Sequence, residues 1–123
     1  FGYAYYAPNA SKMKALRVVN SKGQAVGPSP QGVLDGSYEP LSRPIFIYVS
    51  KASAQRPEVK EFVEFYLQKG APLVEEVKYV PLAEKSYATA LRNFRAGKTG
   101  TAFGGHNEVG LTVEELLARE AKF

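Results

Sequence analysis

The chain has 123 residues, 45% hydrophobic and 23% charged, with eight tyrosines, seven phenylalanines, no cysteine and a net charge of +4. These proportions suit a soluble globular protein with a real core, as one domain or two unequal pieces of domains, and they exclude a disordered chain. The lack of cysteine removes disulfide scaffolds, thiolate metal sites and cysteine nucleophiles, and the longest apolar run, residues 45–49, falls far short of the roughly 20 residues that a membrane-spanning helix takes.

The first residue is Phe1, with no initiator Met and no signal peptide, and the chain opens in Phe-Gly-Tyr-Ala-Tyr-Tyr. Such an aromatic start reads as the interior of a packed element, which predicts a proteolytic or split piece of a larger protein. Residues 1–6 are expected to end a strand and enter a helical turn that Pro8 and Asn9 interrupt. Residues 14–19 (Lys-Ala-Leu-Arg-Val-Val) read as a half-alternating strand, stopped by the turn residues Asn20, Ser21, Lys22 and Gly23. Residues 27–44 are dense in breakers (Gly27, Pro28, Pro30, Gly32, Gly36, Pro40 and Pro44) and leave room for one short helix over 30–34. This is the clearest linker in the sequence and the candidate crossing between lobes.

Residues 45–49 (Ile-Phe-Ile-Tyr-Val) are apolar on both faces, which predicts a strand buried on both sides in an α/β sheet. Pro57 suits a first helical position, and Glu58 and Glu61 complement the positive helix start. Val59, Phe62, Val63, Tyr66 and Leu67 then form one apolar stripe. Lys69-Gly70 is expected to close that helix and Pro72 to prevent its continuation, with a separate short helix over 72–77 and an extended stretch over 78–81. A second long helix is expected over 83–96, with Tyr87, Ala90, Leu91 and Phe94 on one face. Residues 97–110 read as a glycine-rich loop. The chain ends in a helix opened by a Thr112/Glu115 capping box, with Leu111 and Leu116 placed for a hydrophobic staple.

Several local patterns imitate chemistry. Lys98-Thr99-Gly100 resembles the Lys-Thr-Gly of penicillin-binding proteins, and Ser11-Lys-Met-Lys14 supplies a Ser-x-x-Lys. In those enzymes the serine opens a buried helix and the Lys-Thr-Gly lies on a strand. Here Ser11 sits among breakers, the Lys-Thr-Gly trails a helix, and no Ser-x-Asn is present. An acyl-serine enzyme fragment is therefore the alternative reading, not the leading one. Gly97-Lys98-Thr99 also imitates the end of a P-loop, but Arg92 stands where the first glycine is required. Thr99, Gly100 and Thr101 offer hydroxyls and backbone N–H groups to an anion, yet they follow a helix end, where the dipole is unfavourable. His106, the only histidine, lies in a glycine loop beside Asn107 and Glu108 and makes no metal site. Glu75-Glu76 reads as a solvated face. No nucleophile meets a base, so no catalytic residue, cofactor or metal is expected. Lys and Arg never run to five and do not interleave with the aromatics, so no nucleic-acid partner is expected either.

Taken in order, Phe-Gly-Tyr-Ala-Tyr-Tyr (1–6), Lys14-Ala15-Leu16, Pro28-Ser29-Pro30, Leu-Ser-Arg-Pro-Ile-Phe-Ile-Tyr-Val (41–49), Arg-Pro-Glu-Val-Lys (56–60), Phe-Val-Glu-Phe-Tyr (62–66) and Tyr-Val-Pro-Leu (79–82) resemble the phosphate-specific substrate-binding proteins of bacterial ABC importers. The resemblance covers residues 1 to about 95; the tail resembles extensions found in some members. It implies an α/β chain that is part of a two-lobed periplasmic-binding-protein (type II) fold, completing both lobes rather than forming one alone. Residues 1–40 would end the second lobe and carry the crossing linker, 41–96 would return to the first lobe, and 97–123 would add a glycine-rich loop and C-terminal helix. Ser42, Arg43 and Pro44 fall at the implied hinge. In the family, phosphate is held by hydroxyls, backbone donors at helix N-termini, an Arg and an Asp; the run that carries much of this lies upstream of Phe1, so the resemblance implies no phosphate ligand in this chain. The implied partners are inorganic phosphate, the N-terminal part of the same protein and the importer permease. The implied location is periplasmic or extracytoplasmic, with a lipid anchor on the missing N-terminus as one option. An interaction module of the same fold that has lost transport is a further alternative.

Overall fold

The computed structural model describes residues 2–39, 41–100 and 112–120. Helix α1 (Tyr3–Tyr6) runs into a 3-10 turn, Ala7–Asn9. The strand end expected in this stretch is helical instead. Tyr5 N and Tyr6 N both donate to Gly2 O at 3.1 Å, and Asn9 Nδ2 donates to Tyr5 O at 2.9 Å. Helical turns satisfy backbone groups locally, whereas a strand needs a neighbour to pair with. Phe1 lies outside the described residues.

Strand β1 (Val18–Val19) pairs antiparallel with β2 (Ala25–Val26), Val18 opposite Val26 and Val19 opposite Ala25. Of the strand expected over 14–19, only these last two residues pair. The turn between them closes through Asn20 N to Gln24 O and Gly23 N to Asn20 O, both 2.9 Å. Gly23 supplies the positive φ (+74°) that the turn requires. Helix α2 (Pro30–Leu34) stands where the sequence places it: Ser29 Oγ accepts from Gly32 N at 3.0 Å as an N-cap, and Pro30 opens the first turn.

Residues 45–49 are in no strand. Ile45 is 71% exposed and Tyr48 89% exposed, and Phe46 and Val49 are half-buried. The expected sandwiching between two layers is not made, because no described strand pairs with this segment. The Phe46 and Tyr48 rings, two residues apart, lie 6.4 Å from each other.

After a 3-10 turn, Ser53–Gln55, helix α3 runs unbroken from Pro57 to Glu76. The stop expected at residues 69–72 does not occur, and the separate helix over 72–77 is the end of α3. A proline inside a helix removes one N–H and frees the carbonyl four residues earlier. That residue is Gln68, on an exposed position where water can replace the lost bond. The real stop lies at Lys78 (φ +63°), with Tyr79 N donating to Val74 O at 3.0 Å and Lys78 N to Glu75 O at 2.9 Å. This is a Schellman ending with a lysine where glycine is usual. Helix α4 (Glu84–Arg95) ends the same way with a glycine: Gly97 has φ +65°, and Lys98 N donates to Asn93 O at 3.1 Å. Helix α5 (Val113–Glu120) has the expected capping box, with Glu115 N donating to Thr112 Oγ1 at 3.3 Å and Thr112 N to Glu115 Oε2 at 2.9 Å. Leu111, the expected staple partner of Leu116, lies outside the described residues.

Helix α3 packs on α4, and α4 on α5. The buried hydrophobic residues among those described are Val63 of α3 and Leu116 and Leu117 of α5. Gly70 is also buried in α3. At about 100° per residue, the stripe read from the sequence divides. Val59, Val63, Leu67, Gly70 and Val74 share the inner face, while Phe62, Phe65 and Leu73 share an adjoining one that stays exposed. Arg95 joins the two long helices by a bidentate pair to Glu64, Nε to Oε1 at 3.1 Å and Nη2 to Oε2 at 2.7 Å. The pair is partly exposed, so water screens it and it adds little to stability. Asn93 of α4 is buried, and its Nδ2 makes no hydrogen bond among the described residues.

Candidate functional site

A hydrogen-bonded polar cluster around Asn20 takes in residues 37–39 and 42 of the expected linker. Asn20 is 7% exposed. Its Oδ1 accepts from Lys22 N at 3.0 Å and Gln24 N at 2.9 Å, which fixes the hairpin turn. Its Nδ2 reaches across to donate to Ser37 O at 3.2 Å. Ser21 makes a second bridge: its backbone N donates to Glu39 Oε1 at 3.1 Å, and its Oγ donates to the same oxygen. A third tie comes from α2, where Gly32 O accepts from Tyr38 N at 2.9 Å. Tyr38 O in turn accepts from Ser42 N at 3.1 Å and Ser42 Oγ at 2.8 Å. Residues 37–39 are thus tied both to the hairpin turn and to α2, and Ser42 is the last residue of this cluster. Arg43 and Pro44 beyond it are exposed.

The charges agree with this geometry. The Glu39 carboxyl is held below its ordinary pKa, first by the Ser21 hydroxyl and then by the Ser21 backbone N–H. Asp35 is also lowered, mainly by Ser37, whose N donates to Asp35 Oδ1 at 2.9 Å. Gly32 is the tight point of the cluster. A Cβ there would lie 3.2 Å from Ser29 Oγ and 3.4 Å from both Ser37 Oγ and Tyr38 Cβ. Ser29 Oγ cannot retreat without losing its cap bond. Gly32→Ala is therefore expected to cost about 1 kcal/mol, the worth of an N-cap, read as a lower denaturation midpoint at unchanged m-value.

The other candidate residues are not brought together. Thr99 and Gly100 are exposed and follow the C-terminal end of α4, where Gly97 N and Lys98 N already close the helix. Thr101 and His106 lie outside the described residues. Ser11 is exposed in a turn, and Lys14 is exposed and belongs to no helix or strand, so the Ser-x-x-Lys opens no helix. Glu75 and Glu76 are exposed in the last turn of α3. No group of three or more His, Cys, Asp or Glu side chains is placed to hold a metal among the described residues. No described helix is long and apolar enough to cross a membrane. Sequence reasoning missed the role of Asn20. The signal was its place at the head of an Asn-Ser-Lys-Gly turn, where a short amide commonly bonds the backbone two residues on; the bond to Ser37 had no local signal.

No family model matches the chain. It is 52% identical over 120 residues to Protein SphX of Synechococcus elongatus, which takes in 98% of this chain and 36% of that protein. It is 37% identical over 97 residues to the phosphate-binding protein PstS of Staphylococcus aureus, covering 78% of this chain and 29% of that one. Among solved structures, a possible phosphate binding protein from Planctomyces limnophilus superposes with a TM-score of 0.68 at 46% identity, over 80% of this chain and 36% of its own. The mixed helix–strand architecture is part of a periplasmic-binding-protein fold. The chain belongs to the family of phosphate-binding proteins that includes PstS. It spans about a third of the length of these relatives.

Proposed function

We propose that the protein of which this chain forms part binds inorganic phosphate outside the cytoplasm and hands it to the permease of an ABC importer. The chain itself is the C-terminal scaffold and hinge portion, and it supplies no phosphate ligand. The observation that carries this reading is the structural match to a possible phosphate binding protein at 46% identity. The protein acts by capture without chemistry, and no residue here is assigned a catalytic role. A lipid anchor, where there is one, belongs to the preceding segment.

Two features of the structure support a scaffold role. Residues 45–49 are apolar, yet Ile45, Ile47 and Tyr48 are exposed, as expected of an inner strand of a sheet whose neighbours lie elsewhere in the protein. The second apolar face of α3 is likewise uncovered. In this reading residues 1–40 end the second lobe, 41–96 return to the first, and Ser42, Arg43 and Pro44 form the hinge. Residues 97–123 add a glycine-rich loop and C-terminal helix, and the match to SphX takes in 98% of the chain.

Titration calorimetry with inorganic phosphate tests the reading. The full-length protein is expected to bind tightly and the 123-residue chain alone to give no binding heat. A full-length protein that ignores phosphate overturns the function, whereas tight binding by the chain alone overturns the scaffold assignment.

A further inference from the structure

We propose that Asn20, Ser21 and Glu39 are positioning residues that hold the fixed end of the hinge and so set the geometry in which the two lobes meet around phosphate. This deepens the proposed function and rests on it. The hydrogen bonds change abruptly along the chain. Residues 37–39 are tied to the β1–β2 turn through Asn20 Nδ2 to Ser37 O and Ser21 N to Glu39 Oε1. They are tied to α2 through Tyr38 N to Gly32 O, and Tyr38 O passes the restraint to Ser42. Past Ser42, residues 43–50 belong to no helix, strand or turn. A rotation between lobes is absorbed where restraint ends, at a few residues next to a rigid element. Here that point is residues 42–44, and the rigid element is the Asn20 cluster.

The cluster is suited to this task. Its two cross-links come from one turn and grip Ser37 and Glu39, five and three residues before the pivot. Rotation of residues 37–39 about a single bond is thereby blocked. Gly36 (φ +72°) brings the chain round into that grip, and a Cβ on it would lie 3.4 Å from Thr112 Cγ2 at the start of α5. The fixed end of the hinge is therefore also in touch with the last helix.

Removing the cross-links leaves every proposed ligand in place but lets the closed state sample the wrong angle, so the apparent affinity falls with the share of correctly closed molecules. The test uses the full-length protein. Asn20→Ala and Glu39→Ala are each expected to weaken inorganic phosphate binding about fivefold, the value of one hydrogen bond of ordinary strength. The two together are expected to weaken it by less than the product, because both act on one element. Ser21→Thr, which keeps the hydroxyl and the N–H, is expected to bind as the parent does. Glu58→Gln, which removes a carboxylate paired with Arg56 at the exposed start of α3, is the control for charge loss and leaves binding unchanged. X-ray scattering supplies a second readout: the compaction on adding phosphate shrinks in the alanine variants. Variants that lose thermal stability yet bind and compact as the parent does overturn the positioning role and leave the phosphate function standing. A parent protein that does not bind phosphate overturns both.

Discussion

The isolated chain is expected to bind a hydrophobic dye such as ANS strongly and to unfold over a broad range of temperature, while the full-length protein binds little dye and unfolds sharply. The chain exposes 9008 Å², where a compact monomer of 13.5 kDa exposes about 6500 Å². Seven of the exposed large hydrophobic residues fall in two patches. Leu41, Ile45, Ile47 and Tyr48 follow one another from the end of the linker onward, and Phe62, Phe65 and Leu73 share one face of α3. Patches of this kind mark surfaces made to be covered. Burying one such side chain contributes about 1.5–3 kcal/mol, so covering these seven amounts to on the order of 10 kcal/mol. That equals the whole stability of an ordinary domain. Whether this chain holds its fold is therefore decided by what covers those two patches. Sharp, dye-free unfolding of the chain alone would show that the patches serve something other than the interior of a larger protein.

The same surface explains which elements could be read from the sequence. The three helices of the α3–α4–α5 stack are specified by local signals. Pro57 and Glu58 open α3, Gly97 ends α4 within a residue of the expected place, and the Thr112/Glu115 box opens α5. The end of α3 was misplaced because Gly70-Ala71-Pro72 carries a strong stop signal. Gly70 instead sits buried on the inner face, and the carbonyl freed by Pro72 lies at an exposed position. Strands fared worse for a plain reason: their hydrogen bonds are non-local. Residues 45–49 have the composition of an inner strand, yet composition cannot supply the neighbours. The linker was legible from its prolines and glycines, but its anchor was not. The reach from Asn20 to Ser37 spans 17 residues and from Ser21 to Glu39 spans 18, and nothing in either segment announces the other.

Replacing Leu116 with alanine in the full-length protein is expected to cost about 2–4 kcal/mol, the usual loss for truncating a fully buried leucine. Leu116 is 3% exposed and, with Leu117, seats α5 on α4. Helix α5 is only eight residues long. A helix so short does not persist in water on its own account and depends on packing for its stability. Its capping box contributes about 1 kcal/mol, which offsets only part of the ordering cost, so the two leucines must supply the rest. Loss of one side chain should therefore release the helix as a unit rather than leave a cavity beneath it. Hydrogen exchange distinguishes these outcomes: protection should vanish across residues 113–120 together while α3 and α4 keep most of theirs. Leu34→Ala, at a position 45% exposed at the end of α2, is the matched control and should shift stability by no more than about 0.5 kcal/mol. A Leu116 variant as stable as that control would mean that α5 is held from its other side, by a surface belonging to the remainder of the protein.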